Sequence, residues 1–286
     1  MHRVSMLRLV LSALILQSTG AWAASPWLPE AGRVTATVMY VSDEFSKYRP
    51  GANTGTLPVP YGQQTFYGFL EYGLAPKLAL DVETGSTETA FRGNSLGGIT
   101  DSTVGLRYQV KSGERYVVSV RGAAIINGTY DITTAGNWSP GEKASGGLGS
   151  VMAGWSLPAH FFSFLETGYR IRTSPVPQDY FGSAGIGSGF KRFSWTAAYQ
   201  MSRSINGKDI RGTLPRFTPA FNATMFPATK KVFDAVDFAT YYRLRDDLTF
   251  GFNYGKIFNG RNVGLKRIYA VSVSYALPWK LPHFSR

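Results

Sequence analysis

The sequence has 286 residues, a formal net charge of +12, 17% charged residues and no cysteine. The charged fraction is below the roughly 25% of typical soluble domains, and there is no run of about twenty apolar residues of the kind that a transmembrane helix requires. The lack of cysteine excludes disulfides, thiolate catalysis and cysteine-based metal sites. No basic helix or zinc-finger spacing accompanies the positive charge, so we expect no nucleic-acid partner.

The first 23 residues have the pattern of a secretory signal peptide. Arg3 and Arg8 are followed by an apolar core at residues 9–16, and residues 21–23 read Ala-Trp-Ala before Ala24. This core is too short to span a membrane. We therefore predict that residues 1–23 are removed on export, with cleavage one residue later as the alternative, and that residues 24–286 form the mature domain.

Apolar and polar residues alternate along most of the mature chain, which indicates β-strands. In residues 267–277, Tyr269, Val271 and Val273 occupy every second position, and small residues stand between them. A period of two places these sets on opposite faces. An apolar face with aromatic residues near both ends is typical of a strand in a membrane barrel. About twelve such segments follow one another along the chain.

The connections between these segments alternate in length. Short turns are predicted near residues 76, 113, 159, 191 and 246, and longer loops lie between them, the longest being 202–231. Outer-membrane barrels have short periplasmic turns and longer extracellular loops, and an even strand number places both termini in the periplasm. A secreted Greek-key sandwich is the alternative, but it has no reason to alternate in this way. We predict an all-β, antiparallel transmembrane β-barrel of about twelve strands in the Gram-negative outer membrane.

Charged side chains recur on the face opposite the apolar one. They cannot face lipid, so we expect them to line the pore. The nearly equal numbers of acids and bases favour cross-strand ion pairs, and a role in selectivity is equally open. Arg170 and Arg172, one strand period apart, could present two cations to a passing carboxylate or sulfate. The predicted pore-lining residues are Glu71, Asp81, Glu83, Asp101, Arg107, Arg121, Glu166, Arg170, Arg172, Asp237 and Arg243.

The remaining positive charge lies in the predicted loops. We expect these residues to contact lipopolysaccharide and other outer-membrane lipids, or anionic polysaccharide; simple solubility is the alternative. The 202–231 loop also has Phe217, Phe221 and Phe226, and it is long enough to fold inward as a constriction. The loop residues are Lys47, Arg49, Arg92, Lys143, Arg203, Lys208, Arg211, Arg216, Lys230, Lys231, Arg261 and Lys266.

No catalytic, cofactor or metal site is predicted. A lipid-cleaving barrel needs a serine activated by a base, usually histidine. The histidines are His2 in the signal peptide, His160 in a short turn and His283 in the C-terminal tail. No zinc-ligand spacing is present. The alternating glycines of residues 182–189 do not lead into a helix, so we expect packing or a barrel bend there and not a phosphate loop.

Two stretches resemble the outer-membrane family named for the meta-pathway of phenol degradation, including its XagA-like members. Residues 25–32 read Ser-Pro-Trp-Leu-Pro-Glu-Ala-Gly, and residues 98–108 match the pattern Gly-x-x-Asp-x-x-x-Gly-Leu-x-Tyr. The resemblance implies an outer-membrane channel, encoded with aromatic catabolism in some members and with exopolysaccharide production in XagA-like ones. It implies no catalytic residues. The chain departs from common barrels in that residues 278–286 follow Leu277, where a closing aromatic residue is usual.

A barrel of about twelve strands leaves a narrow or plugged pore. We therefore expect a channel for passive passage of small solutes, with aromatic or hydrophobic ones preferred, and no cofactor. One alternative is an outer-membrane component for exopolysaccharide export. The other is a non-conducting surface barrel that binds envelope glycan.

Overall fold

The computed structural model describes residues 25–51, 53–91, 94–130, 141–209, 228–278 and 281–282, together with the backbone of a short antiparallel pair, Gln17–Ser18 with Ala21–Trp22. The rest of the predicted signal peptide lies outside the described residues, as do Arg92, Arg211, Arg216 and the three phenylalanines of the 202–231 loop. Within the described ranges, no helix has the length and apolar character needed to cross a membrane.

Twelve antiparallel strands form a closed barrel. Each strand pairs with the next along the chain, and the last pairs with the first. The predicted all-β barrel of about twelve strands is confirmed. The strands are β1 Val34–Arg49, β2 Gly55–Ala75, β3 Leu78–Phe91, β4 Ser102–Ser112, β5 Tyr116–Ile126, β6 Gly146–Ser156, β7 Phe161–Arg172, β8 Asp179–Phe190, β9 Phe193–Ser204, β10 Val232–Arg245, β11 Leu248–Arg261 and β12 Arg267–Ala276.

The two faces of each strand differ as the alternation predicts. On β12, Val271 is 53% exposed on the outer face, whereas the adjacent Ala270 is 4% exposed on the inner face. Large apolar side chains occupy outer positions on the other strands too, such as Phe66, Leu106 and Ile186. Because a strand side chain points to alternate faces, the charged residues between them turn inward. The barrel therefore has an apolar exterior and a buried, partly ionic interior.

The two ends of the barrel differ. Five tight turns, at residues 76–77, 113–115, 157–160, 191–192 and 246–247, define the short-turn end. The opposite, long-connection end has the segments 127–145, 173–178 and 205–231, and a shorter segment, 262–266, that includes the two-residue strand Val263–Gly264. This asymmetry agrees with the predicted spacing of turns.

Two predicted loops at the long-connection end are β-structure instead. β1 and β2 continue as a hairpin that turns at residues 50–54, and β3 pairs with an extra strand, Asn94–Ile99, that leads into β4. The glycine and proline content of residues 51–62 suggested a loop. Pro58 and Pro60 lie within a bulge, between the pairs Phe45↔Tyr61 and Lys47↔Thr56, where they break no ladder bond with β1, and proline is tolerated at such places.

The glycines of β8 serve ring packing inside the barrel. Phe162 and Phe164 of β7 pair directly with Gly187 and Gly185 of β8, and their rings occupy the space that a Cβ would need at those glycines. Phe181 covers Gly168 in the same way. The alternating glycines at residues 182–189 thus let aromatic rings lie flat against the inner wall, in agreement with the packing role expected from the sequence.

Gly185→Val is expected to destabilise the barrel by about 1–3 kcal/mol, because overpacking forces rings and backbone apart. The new Cβ would overlap the Phe164 ring and lie 2.7 Å from the carbonyl oxygen of Ala197, which cannot move without the sheet. Gly122→Val, which meets nothing within 4 Å, is the control and should change stability by less than about 0.5 kcal/mol. Urea titration followed by heat-modified gel mobility measures both; equal midpoints would contradict the packing role.

Candidate functional site: the barrel lumen and its N-terminal plug

A layer of ion pairs runs along the inner wall of β2 to β5, near the short-turn end. Arg107 of β4 is 1% exposed and pairs with Glu71 and with Asp81, the latter at 3.3 Å. Arg121 of β5 donates through Nε to the other oxygen of Asp81 at 3.0 Å. The two arginines are direct cross-strand neighbours, and the Asp81 carboxylate, which contacts both, stabilises them in this position. Four of the predicted pore-lining residues are therefore brought together.

A second ionic cluster lies towards the long-connection end. Arg170 and Arg172 both pair with Asp179, at 3.4 and 2.7 Å, and Arg172 also pairs with Glu142. The Lys231 ammonium lies 2.9 Å from Glu142. Burial, together with nearby Arg172 and Lys266, lowers the pKa of Lys231 to about 7. An anion that approached Arg170 and Arg172 would have to compete with Asp179, which weakens the idea that they present two free cations.

A third group lines the β1–β3 extension. Lys266 pairs with buried Asp43 at 2.9 Å and lies 5.8 Å from the centre of the Tyr61 ring. Next to them, Tyr61 donates to Gln63, and Gln63 donates to the hydroxyls of Thr65 and Thr87. Sequence reasoning missed this group, because most of its residues stand in segments outside the predicted strands.

Asp101 organises a connection and is not part of the wall. Its carboxylate accepts hydrogen bonds from the Gly128 and Glu142 amides, at 2.8 and 3.2 Å, and from the Tyr130 hydroxyl at 2.7 Å. Burial and the adjacent Asp101 carboxylate raise the pKa of Tyr130 well above its usual value. The aspartate of the 98–108 pattern thus holds the two described ends of the 127–145 connection, and this role was not predicted.

The remaining predicted residues are spread over the inner face. Glu83 and Glu166 are each 2% exposed, and Asp237 accepts a hydrogen bond from Gln200. Arg243 lies at the short-turn end, where it donates to the carbonyl of Lys191 at 3.2 Å. Asp234, a residue outside the predicted set, pairs instead with Arg203 beside the bulge of β10.

Part of the inner wall is apolar. Met39 and Val41 of β1 pack with Ile268 and Ala270 of β12, and Tyr67 and Phe69 of β2 lie against them. Phe162 and Phe164 are buried on the opposite side of the lumen. Sequence reasoning missed this apolar surface, because Met39 alternates in phase with Thr35 and Thr37, and the inward positions 270–276 of β12 hold small or mildly polar residues. The lumen therefore combines an aromatic and aliphatic surface with ionic clusters.

The segment 25–32 enters the lumen from the short-turn end, and we call it the plug. Arg107 donates through Nη1 to the Ser25 carbonyl at 2.9 Å, and the Ser119 hydroxyl donates to the Pro26 carbonyl at 2.7 Å. The Trp27 ring meets Phe162 edge to face, with centroids 5.8 Å apart. Ser25 is 5% exposed. Residues just after the predicted cleavage site thus lie inside the barrel, against the inner wall formed by β4 to β7.

The base of the plug is fixed to the rim of the barrel. Ala31 bridges to Gly73 of β2, and the Gly32 amide donates to the Gly73 carbonyl at 2.7 Å. The Leu281 amide donates to the Gly32 carbonyl at 2.8 Å, so the C-terminal tail packs here too. A Cβ at Gly154 would clash with Trp27 and Pro26. In the sequence, residues 25–32 were noted only as part of a family resemblance. The uncharged segment Ser-Pro-Trp-Leu-Pro before the first strand was the one feature that could have indicated a plug.

Several lysines and arginines assigned to the outer loops are ion-paired. Lys231 and Lys266 turn inward to Glu142 and Asp43, and Arg203 pairs with Asp234. Arg261 donates to Asp209 through Nε at 2.9 Å. Part of the positive charge that was expected to face the surroundings is therefore neutralised within the protein.

Ser202 and His160 lie at opposite ends of the barrel, so they form no serine–histidine pair. Ser202 donates to Asp179 at 2.9 Å near the long-connection end of β9, whereas His160 lies in the turn 157–160 at the opposite end. Across the described ranges, no group of three or more His, Cys, Asp or Glu residues is arranged to hold a metal ion.

Solved structures with a similar fold are outer-membrane barrels. The COG4313 outer membrane channel from Pseudomonas putida F1 aligns with a TM-score of 0.69 and 9% identity, over 92% of this chain and 100% of its own. The NanC porin aligns with a TM-score of 0.52 and 12% identity, over 84% of this chain and 100% of its own. The translocator domain of the autotransporter NalP from Neisseria meningitidis aligns with a TM-score of 0.50 and 10% identity, over 87% and 89%.

No protein-family model matches the sequence, and no curated protein does. The structural matches are described as a channel, a porin and a translocator domain, so proteins with this fold have more than one function. At these sequence identities the matches establish the fold alone. The resemblance to the meta-pathway family stays a prediction.

Arg107→Met is expected to destabilise the barrel by about 1.5–3 kcal/mol, because Glu71 loses its ion-pair partner and Asp81 keeps only Arg121. The exposed turn residue Arg115 supplies the matched control, and Arg115→Met should cost less than about 0.5 kcal/mol. Urea midpoints of the detergent-solubilised proteins, read by tryptophan fluorescence, measure both. If the two variants unfolded at the same urea concentration, Arg107 would not hold the layer together.

Proposed function

We propose that this protein is an outer-membrane channel for the passive passage of small solutes, closed at rest by its N-terminal plug. The observation that carries the proposal is a closed twelve-strand barrel with an apolar exterior whose lumen receives residues 25–32, which bind side chains of the inner wall. A segment that only a few contacts hold in the lumen can be displaced, whereas a strand of the barrel wall cannot. The fold shared with an outer-membrane channel supports the same function.

The lumen supports passage of small solutes that have an aromatic or hydrophobic part. Phe162, Phe164, Tyr67 and Phe69 offer flat apolar surfaces on two sides, and aromatic rings bind one another by stacking or edge contact. The ionic clusters narrow the space between them and would orient a polar group on the solute. The predicted pore-lining residues are part of this proposal. Most of them form ion pairs when the plug is seated, and they would influence solute selectivity once the plug is released.

The proposed orientation places the short-turn end in the periplasm. Both the plug and the C-terminal tail then lie on the periplasmic side, in keeping with an even strand number. At the other end, exposed basic residues that have no ion pair within the described chain, such as Lys47 and Lys208, would meet lipopolysaccharide phosphates and sugars. Cleavage of residues 1–23 before assembly is part of the same proposal.

A non-conducting barrel is the second candidate. The observation that favours it is again the filled lumen: with the plug seated and Arg107, Arg121, Arg170 and Arg172 all paired, the lumen has a self-consistent closed state. Export of an exopolysaccharide would need a wider path than the plugged lumen leaves. Recording conductance with the plug seated and released separates the non-conducting barrel from the channel.

Trp27→Ala is expected to raise the open probability in planar bilayers. The variant removes the ring contact with Phe162, and a loss of about 1.4 kcal/mol would shift the closed-to-open ratio tenfold. Trp155→Ala is the matched control, because Trp155 faces outward and touches neither the plug nor the lumen. Brief, rare openings in the wild type and the control and long openings in Trp27→Ala would support the channel. Absence of current steps in all three would favour the non-conducting barrel.

Solute preference can be tested in the same Trp27→Ala variant. Liposome swelling should be faster with a small aromatic acid than with a neutral disaccharide, because rings line the lumen and the ionic clusters limit its width. Phe164→Ala removes one of these rings and should reduce the difference by about twofold or more, since a ring contact contributes about 0.5–1.5 kcal/mol. Equal rates for both solutes would contradict the preference for aromatic compounds.

A further inference from the structure

Two cationic side chains stand side by side on the outer face of the barrel. Lys256 of β11 and Arg267 of β12 are direct cross-strand partners near the long-connection end, and both are exposed. The residues that follow them, Ile257 and Ile268, are buried on the inner face. Like charges at directly opposite positions destabilise a sheet. The pair therefore favours an anion that contacts both side chains, and neither residue belongs to the predicted pore-lining or loop sets.

The carboxylates around this pair do not neutralise it. Within the described ranges, Lys256 and Arg267 take part in no ion pair, whereas the adjacent Lys266 is paired with Asp43 at 2.9 Å. Glu44 of β1 is the other cross-strand partner of Arg267 and is exposed. It brings one negative charge to a row that has two positive ones. The row keeps a net positive charge, and its cations are open to an anion from outside the barrel.

Aromatic and apolar side chains continue the same face of β11 and β12 towards the middle of the membrane. Tyr254 and Tyr269 are the next outward partners, with ring centres 5.4 Å apart. Phe252 and Val271 follow, and they are 47% and 53% exposed. Tyrosine is enriched at the level of lipid headgroups, and the apolar band of a barrel begins below it. From the long-connection end inwards, the face thus presents charge, then amphipathic rings, then hydrocarbon.

We propose that this face binds one lipid A molecule of the outer leaflet, with a lipid A phosphate between Lys256 and Arg267. Lipid A is a phosphorylated disaccharide with acyl chains, so its groups follow the same order across the membrane as the side chains do here. A guanidinium binds phosphate through paired hydrogen bonds, and an ammonium adds a compact charge. The proposal rests on the proposed orientation, which places the long-connection end outside, and not on whether the barrel conducts.

The surface favours a lipid over a free phosphate ion. Exposed cations attract a small anion only weakly in salt, and the rings and apolar side chains below them stabilise a ligand only if it has hydrocarbon to bury. An anionic phospholipid offers the same two parts. In the outer membrane, phospholipids occupy the periplasmic leaflet, which would meet the short-turn end of this barrel. The orientation therefore assigns the site to lipid A.

The affinity for lipid A is measured by native mass spectrometry of the purified barrel in detergent. One lipid A molecule should remain bound to the wild type. A chain with both Lys256→Gln and Arg267→Gln should bind it about tenfold or more weakly, because the charge-assisted contacts to the phosphate are lost. Dephosphorylated lipid A should bind the wild type and this double variant equally. Unchanged affinity of the double variant for lipid A would show that the phosphate does not bind at this pair.

The matched control carries Lys47→Gln and Lys208→Gln. It removes the same charge from two exposed side chains at the same end, and it leaves the row on β11 and β12 intact. Its affinity should change by less than about twofold, because salt screens exposed charges that do not touch the phosphate. An equal loss in both double variants would mean diffuse attraction by the whole end of the barrel, and the local site would be refuted. Heat-modified gel mobility confirms that each variant is folded.

Other sources of phosphate are tested by competition. Millimolar inorganic phosphate should leave lipid A bound, and phosphatidylglycerol should displace it only at a large excess. Displacement by inorganic phosphate would reduce the site to a simple anion site. Equal affinity for phosphatidylglycerol would make it a site for any anionic lipid. Either result would overturn lipid A as the occupant.

The orientation is tested separately in intact cells. The chain has no cysteine, so Lys208→Cys introduces a single thiol at the long-connection end, and a membrane-impermeant maleimide should label it from outside. If the thiol were labelled only after the outer membrane is permeabilised, this end would face the periplasm and lipid A could not be the occupant. Neither this result nor a failure of lipid binding would alter the conductance records, which test the channel on their own.

Discussion

The pairing of β12 with β1 is the constraint on which the rest of this structure depends. In a membrane every backbone amide and carbonyl must be paired within the protein, so a sheet can span the bilayer only if it has no free edge. Ten residue pairs, from Arg267↔Glu44 to Ala276↔Thr35, close the sheet here. Once it is closed, the period of two sends every second side chain into one shared interior. Charges that are far apart in the sequence then have to neutralise one another.

Closure also creates the need for the plug. Eight strands enclose a space that wall side chains fill, and a larger barrel leaves a space that they do not. On β7 and β8 the wall itself is thin, because glycines underlie the rings of Phe162 and Phe164. Trp27 adds a further ring to this surface, because it meets Phe162 edge to face. The glycine spacing, the inward aromatic rings and the N-terminal segment are therefore three parts of one packing arrangement.

The alternation in residues 267–277 and the spacing of the five turns were sufficient to predict the barrel, because both are local signals. What the sequence could not give are contacts between distant segments. Arg107 and Ser25 are 82 positions apart, and Glu142 joins Arg172 to Lys231 from another connection. The hairpin of β1 and β2 was missed for a different reason. Proline normally ends a strand, and Pro58 and Pro60 are tolerated only because they lie within a bulge of β2.

The contacts that hold the plug suggest that its release need not disturb the barrel. One hydrogen bond from a charged donor contributes about 1.5–3 kcal/mol, one from a neutral hydroxyl about 0.5–1.5 kcal/mol, and one ring contact about 0.5–1.5 kcal/mol. Their sum, roughly 3–6 kcal/mol, corresponds to a closed-to-open ratio of about 10² to 10⁴. Two of these contacts are to main-chain carbonyls of Ser25 and Pro26, so they depend on the path of the chain more than on its side chains. With this closed-to-open ratio the plug leaves the lumen rarely. The backbone ladder between neighbouring strands has many more hydrogen bonds, so the barrel stays intact when the plug is released.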